Sequence, residues 1–215
     1  MKYEAILFDL DGTLLNTLED LKDSCNAALE ACGYAPRTLD EVRRFVGNGV
    51  GLLIRRALPE GAGEEEWARC LALFKAHYQN NLDNKTRPYP GIEQALDALL
   101  ARGYRIGVVS NKFDAAVKAL CAHHFPRIQV AVGEREGVRK KPAPDSALAA
   151  AQALGVQPAS ALYVGDSEVD IQTARNAGMD CLSVDWGFRP EAVLREAGAT
   201  RIIHSPGALL DAIEK

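Results

Sequence analysis

No stretch of this 215-residue sequence is apolar for long enough to span a membrane, which takes about 20 such residues. The first apolar run, Ala5 to Phe8, is cut short by Asp9 and Asp11, so it also lacks the length of a secretion signal. Charge of one sign is not in excess either. Twenty-five Lys and Arg stand against 29 Asp and Glu, for a net charge of -4, and the broad basic field that serves nucleic-acid binding is missing. The five cysteines (Cys25, Cys32, Cys70, Cys121, Cys181) are odd in number, scattered, and contain no C-x-x-C pair. That argues against a disulfide framework and a cysteine zinc site, and it suits a reducing cytoplasm. Repeats and low-complexity tracts are absent as well. These absences imply a cytoplasmic protein without nucleic-acid or membrane partners. A small anion stays within reach, because a local cation or metal can bind it whatever the global charge.

What is present is an ordinary globular composition, 47% hydrophobic and 25% charged, sufficient at this length to bury a real core. Short apolar runs at Ala5 to Phe8, Arg105 to Val109, Gln129 to Val132, Ala161 to Val164 and Cys181 to Val184 read as buried strands, with a shorter one at Arg201 to Ile203. Helical periodicity fills most of the intervals, as at Gly91 to Leu100, and strands alternating with helices predict an α/β fold on a parallel sheet. One connection breaks the rhythm. Between the first strand and Gly91 lie roughly 75 residues without a convincing strand, too many for a simple crossover. Apolar residues recur there at helical spacing from Leu18 to Leu29, from Leu52 to Ala57 and from Trp67 to Tyr78. The expected division is a core over residues 1–15 and 85–215 and an inserted helical unit over 16–84, with the crossings near 14–17 and 83–87.

Four segments carry chemistry. Asp9 and Asp11 follow the first strand at once, and ligands of an open parallel sheet bind beyond the carboxyl ends of its strands. Two carboxylates there resist joint ionisation unless a cation or substrate uses them, although a turn with its aspartates on backbone amides would also place them. A calcium loop does not fit, because Leu14 and Asp20 occupy the positions that require Gly and Glu. Asp166 and Asp170 form a second acidic pair after another strand; either Asp166 or Ser167 caps a helix that begins near Glu168 and carries Asp170, or the pair adds oxygen ligands of the kind magnesium prefers. Ser110 and Asn111 close a third strand. Lys141 precedes Pro142-Ala143-Pro144-Asp145, a stiffened loop that presents one ammonium group.

Taken in order, Asp9 to Thr13, Val109-Ser110-Asn111-Lys112, Lys141 to Asp145 and Gly165 to Asp170 resemble the motifs of the haloacid dehalogenase (HAD) superfamily, specifically its phosphatase branch. The resemblance spans essentially the whole chain and implies a Rossmann-like parallel-sheet core with an inserted helical cap of the C1 type. Asp11 favours phosphate transfer over carbon-halogen cleavage, since the dehalogenases of the superfamily lack that second aspartate. Carried over, the resemblance makes Asp9 the nucleophile of an aspartyl-phosphate route and Asp11 the general acid and base. It implies that Mg2+ is held by Asp9, the backbone carbonyl of Asp11, and Asp166, with Asp170 ordering a water or a neighbouring ligand. Ser110, Asn111 and Lys141 are expected to hold the phosphoryl oxygens.

Phe45-Val46-Gly47-Asn48-Gly49, Thr86 to Gly91 and Ser110-Asn111-Lys112 are similar to segments of bacterial phosphoglycolate phosphatases. Gly47, Asn48 and Gly49 form the candidate substrate loop of the cap, where glycines permit positive φ and close approach of a ligand. The expected activity is hydrolysis of a small phosphorylated metabolite, first 2-phosphoglycolate. A pyrophosphatase or sugar-phosphate mutase of the same superfamily is the alternative within this chemistry, and a non-catalytic phosphometabolite-binding protein the alternative outside it. His77, His123, His124, Trp67 and Trp186 read as packing, capping or surface residues, with Trp186-Gly187-Phe188 placed to border the site.

Overall fold

The structure is a computed structural model that describes residues 2–214. It divides into two compact units, Met1–Asn16 with Pro88–Lys215, and Thr17–Arg87. The elements of the first unit are β1 (Ala5–Phe8), β2 (Leu15–Asn16), α5 (Ile92–Ala101), β4 (Arg105–Phe113), α6 (Asp114–His124), β5 (Val130–Glu134), α7 (Asp145–Ala153), β6 (Ala161–Gly165), α8 (Glu168–Ala177), β7 (Asp180–Val184), α9 (Glu191–Glu196), β8 (Ile202–Ile203) and α10 (Leu209–Glu214). The second unit contains α1 (Leu18–Ala31), α2 (Leu39–Phe45), α3 (Val50–Ala57) and α4 (Glu64–Asn81), and β3 (Arg87–Pro88) marks the return.

Six strands of the first unit form a parallel sheet in the order β5-β4-β1-β6-β7-β8. All four residues of β1 are buried, as a strand flanked on both sides and covered on both faces must be. On one face Ala5, Leu7, Val109 and Tyr163 pack against Ala147, Ala150 and Ala151 of α7 and Ala174 and Ala177 of α8, where small side chains let the helices approach closely. The strand order reverses at β1: Phe8 is level with Val108 of β4 on one side and Val164 of β6 on the other. The residue after Phe8 therefore emerges at the topological switch point, where a crevice opens between diverging connections.

The expected strands are present, with one consequential difference. β4 does not stop at Val109 but runs to Phe113, and its register against β5 shifts between Val109 and Phe113. The polar Ser110-Asn111-Lys112 stretch thus lies within an irregular strand end, and such irregularities re-aim side chains beside functional sites.

In the helical unit, α1 packs chiefly on α4, and Phe74 and Tyr78 of α4 stack with ring centroids 5.3 Å apart. Three helical stretches were expected and α2 is a fourth. Val42 is its one buried residue, too little for an apolar period, but its start is marked by a capping box in which Thr38 accepts from the Glu41 N–H at 3.3 Å and Glu41 accepts from the Thr38 N–H at 2.8 Å. Gly47, Asn48 and Gly49 take φ values of 119°, 62° and 85°. Three successive residues in the left-handed region explain two glycines and an asparagine there. Buried Asp20 ties the unit's two ends together, accepting from the backbone N–H groups of Lys85 and Thr86 and from the Thr86 hydroxyl at 2.8–3.0 Å. Among the described residues no helix is long and apolar enough to cross a membrane.

Candidate active site

Asp9 is the first residue beyond β1, and its N–H still donates to the Val164 carbonyl at 2.9 Å, which keeps it aligned with the sheet. The Leu10 N–H and Lys141 Nζ both hold the same carboxylate oxygen, Oδ1, at 2.7 and 2.9 Å. Two donors on one oxygen fix the carboxylate plane and leave Oδ2 outside that pair. Asp166, the first residue beyond β6, is buried; its Oδ1 accepts from the Thr13 hydroxyl at 3.1 Å and its Oδ2 from the Phe188 N–H at 2.7 Å. Two glycines make room for it. A Cβ on Gly12 (φ 88°) would come 2.4 Å from Asp166 Oδ2, and one on Gly187 would come 2.4 Å from the same oxygen and 2.3 Å from the Gly12 carbonyl. Trp186, next to that glycine, donates its indole N–H to the Thr13 carbonyl at 3.1 Å, so it does border the site.

Lys141 is a hub. Its ammonium lies 2.8 Å from Asp170 Oδ1, 2.9 Å from Asp9 Oδ1, 3.1 Å from the Tyr163 hydroxyl and 3.1 Å from the Val109 carbonyl. Asp170, fully buried in the first turn of α8, does two things at once. Oδ1 takes Lys141, while Oδ2 accepts from the Ser167 hydroxyl at 2.6 Å and the Ser167 N–H at 3.1 Å. The helix cap, expected of Asp166 or Ser167, is shared by Ser167 with Asp170 in a capping box. Asn111 reaches the lysine's own backbone. Its side-chain oxygen accepts from the Lys141 N–H at 2.9 Å and its amide donates to the Lys141 carbonyl at 3.0 Å, which clamps the loop that carries the lysine.

Asp11 faces another way. Lys112 Nζ lies 2.7 Å from its Oδ1 and the Ser110 hydroxyl 3.4 Å from its Oδ2. Ser110 stands out in the sequence, whereas Lys112, Tyr163 and the Thr13 hydroxyl carry no sequence signal of a role. A lysine after Ser-Asn reads as surface charge, and a tyrosine inside an apolar strand reads as core; only the packed sheet shows where their polar ends go. The remaining sequence candidates lie elsewhere. His77 bonds Ser24 at 3.0 Å, Trp67 donates to the Gly51 carbonyl at 2.9 Å, and His123 and His124 are the last residues of α6, their rings stacked at 4.5 Å.

Burial raises Asp9 well above the usual carboxylate range, and Asp170, Asp166 and Asp11 add to the rise against the pull of Lys141. Burial likewise pushes Asp166 up to about 7, with Asp170 adding repulsion and the Phe188 N–H and Thr13 hydroxyl opposing it. For Lys141 burial acts downward, but Asp170 and Asp9 together overcome it and hold the ammonium form well above its ordinary range. Oxygens of Asp9, Asp166 and Asp170 lie within 4.8 Å of one another. Of these three buried carboxylates, Asp9 and Asp170 share the one ammonium of Lys141. An all-oxygen donor set at that spacing suits a hard ion.

Residues 6–184 match the family model of haloacid dehalogenase-like hydrolases. The chain is similar to a phosphoglycolate phosphatase of Mesorhizobium japonicum, 35% identical and covering 94% of this chain and 95% of the relative. It is also similar to one of Cereibacter sphaeroides, 37% identical over 86% of each. Among solved structures, a candidate phosphoglycolate phosphatase from Lactobacillus delbrueckii subsp. bulgaricus superposes with a TM-score of 0.95 at 38% identity, covering 99% of both chains.

Proposed function

The chain belongs to the haloacid dehalogenase-like hydrolase family, and from that membership we propose that it hydrolyses a small phosphomonoester through an aspartyl-phosphate on Asp9, with 2-phosphoglycolate the first candidate. The observation that carries this reading is the gathering of Asp9, Asp166 and Asp170 oxygens within 4.8 Å of one another at the switch point, with Lys141 on Asp9 and Asp170 and with Asp11 on Lys112. Two aspartates in two environments can do two jobs. Lys141 draws a phosphoryl oxygen toward Asp9, whose carboxylate oxygen forms the new P–O bond as the bond to the leaving oxygen breaks. Asp11 gives that oxygen a proton, then takes one from the water that cleaves the acyl phosphate and regenerates Asp9. Asp9, Asp166 and the Asp11 carbonyl would hold Mg2+, which neutralises phosphoryl charge when bound. Asp170 keeps Lys141 in place, and Ser110 serves the phosphoryl oxygens beside it. The helical unit is the proposed cap, and its Gly47-Asn48-Gly49 loop is assigned to substrate choice.

The test is a phosphate-release panel with purified protein and Mg2+. It should cleave a generic aryl phosphate, lose that activity on chelation, and favour 2-phosphoglycolate by kcat/KM over hexose phosphates and pyrophosphate. A flat profile would sink the substrate assignment and leave the phosphatase reading standing, whereas activity untouched by chelation would sink the metal.

Metal binding should also show in stability. Asp166 at about 7 in the fold, against 3.8 when unfolded, means that the native protein keeps a proton the unfolded chain has already released. Without metal, this contribution therefore falls as pH rises through that interval. A divalent cation replaces the proton, so Mg2+ is expected to raise Tm more at about pH 8 than at about pH 5.5, because it competes with no proton at the higher pH. A Mg2+-induced shift that is equal at both, or larger at the lower, counts against Asp166 as a ligand.

A further inference from the structure

We infer that Lys112 is a positioning residue for proton transfer by Asp11, an inference that rests on the acid and base role proposed for that aspartate. Lys112 Nζ lies 2.7 Å from Asp11 Oδ1, with the lysine side chain 3% exposed and the aspartate side chain 15%. An ion pair on the surface fluctuates and contributes little; this one is enclosed and its geometry is set by packing. The grip is also two-handed. Ser110 and Lys112 come from the same irregular end of β4, where alternate residues share a face, and they meet the two different oxygens of one carboxylate. The Lys112 N–H donates in turn to the Ser110 hydroxyl at 3.2 Å, so the three groups form one connected unit. A carboxylate held at both oxygens keeps one rotation about its Cβ–Cγ bond.

Lys141 already supplies the fixed cation beside Asp9 and Asp170. The second buried lysine is thus placed on the proton-transfer residue rather than on the nucleophile. Positioned acid–base groups contribute about 10²- to 10⁴-fold, and a carboxylate released from its clamp would forfeit part of that factor only where proton donation matters. A poor leaving group needs the proton as its bond breaks, whereas an acidic phenol leaves without it.

The experiment is a leaving-group series. For Lys112→Met and the hydrogen-bonding Lys112→Gln, kcat/KM is measured with 4-nitrophenyl phosphate, ethyl phosphate and 2-phosphoglycolate, in holoenzyme with Mg2+. The expected result is a loss of about 100-fold on both alkyl esters and less than about tenfold on the aryl ester. Lys112→Arg should recover part of the alkyl activity, and adding Lys112→Met to Asp11→Asn should cost nothing further. An equal loss on all three esters would overturn the inference in favour of a structural or general electrostatic role. A loss confined to 2-phosphoglycolate would overturn it differently, by making Lys112 a binder of the substrate carboxylate. Asp11→Asn is the reference. If that variant shows the split and the Lys112 variants do not, only the positioning inference fails; if it shows no split, the acid and base assignment fails with it.

Discussion

Asp9→Asn is expected to lower kcat by about 10⁴-fold or more, since replacing a covalent nucleophile removes the route rather than weakening it. The substitution is nearly isosteric. The amide oxygen can keep the Leu10 N–H at the 2.7 Å contact now made by Oδ1, and Lys141 keeps Asp170 at 2.8 Å. The fold should therefore survive, and there is reason to expect a gain. Burial first, then Asp170, Asp166 and Asp11, hold Asp9 well above its ordinary range, so the fold disfavours its ionised form, and this penalty grows as pH rises from the unfolded value through the folded one. In metal-free protein at neutral pH, Asp9→Asn is accordingly expected to unfold at the wild-type temperature or slightly above it, the usual exchange of stability for function at an active site. Acid quenching of enzyme mixed with a labelled phosphomonoester should trap phosphate on wild-type protein and none on the variant. Turnover near the wild-type rate by Asp9→Asn would falsify the nucleophile assignment. A large drop in Tm would instead make Asp9 a structural residue whose loss of activity is secondary.

The readable part of this protein was the part governed by local rules. Continuous apolar runs predicted the strands, because a parallel sheet buried on both faces needs no alternation. The length of the interval before Gly91 predicted an insertion, because crossovers are short. The aspartates stood out because charge immediately after such a run is costly without a partner. What stayed hidden depended on sheet order and side-chain direction. Nothing in Ser110-Asn111-Lys112 says that the strand continues through it with a register shift, yet that shift accompanies an arrangement in which Ser110 and Lys112 meet Asp11 while Asn111 clamps the Lys141 loop. Tyr163 was invisible for a similar reason. Its ring is buried in the core as its place in β6 predicts, but its hydroxyl lies 3.1 Å from Lys141, a contact made across 22 residues of chain. Asp170 stood out beside Asp166, but a cap was expected of Asp166 or Ser167; the geometry gives Asp170 Oδ2 to Ser167 and its Oδ1 to Lys141.

Lys141→Met is the second large effect, and it should separate stability from catalysis. The ammonium is enclosed by two carboxylates, a phenol and a carbonyl. Removing it leaves Asp9 and Asp170 buried without their cation, and breaking a buried pair from one side costs about 3–5 kcal/mol, or roughly 10 °C in Tm for a chain of this size. Catalysis loses the charge that meets the phosphoryl oxygens, a loss of about 10²- to 10³-fold for one such donor. Lys141→Arg should not restore the rate, because a planar guanidinium cannot reproduce a point charge among four oxygens within 3.1 Å. The discriminating variant is Lys141→Met combined with Asp170→Asn. Neutralising Asp170 removes one of the two stranded charges, and its amide can still accept from Ser167, so thermal stability should return by several degrees. Activity should not return with it, since the ammonium proposed to meet the phosphoryl oxygens is still missing. If the double variant regained both together, Lys141 would be a structural counter-ion for Asp170, and its place beside Asp9 would have no catalytic meaning. Stability that rises while kcat stays low is the outcome expected of a lysine that the fold holds in order to offer its charge to a substrate.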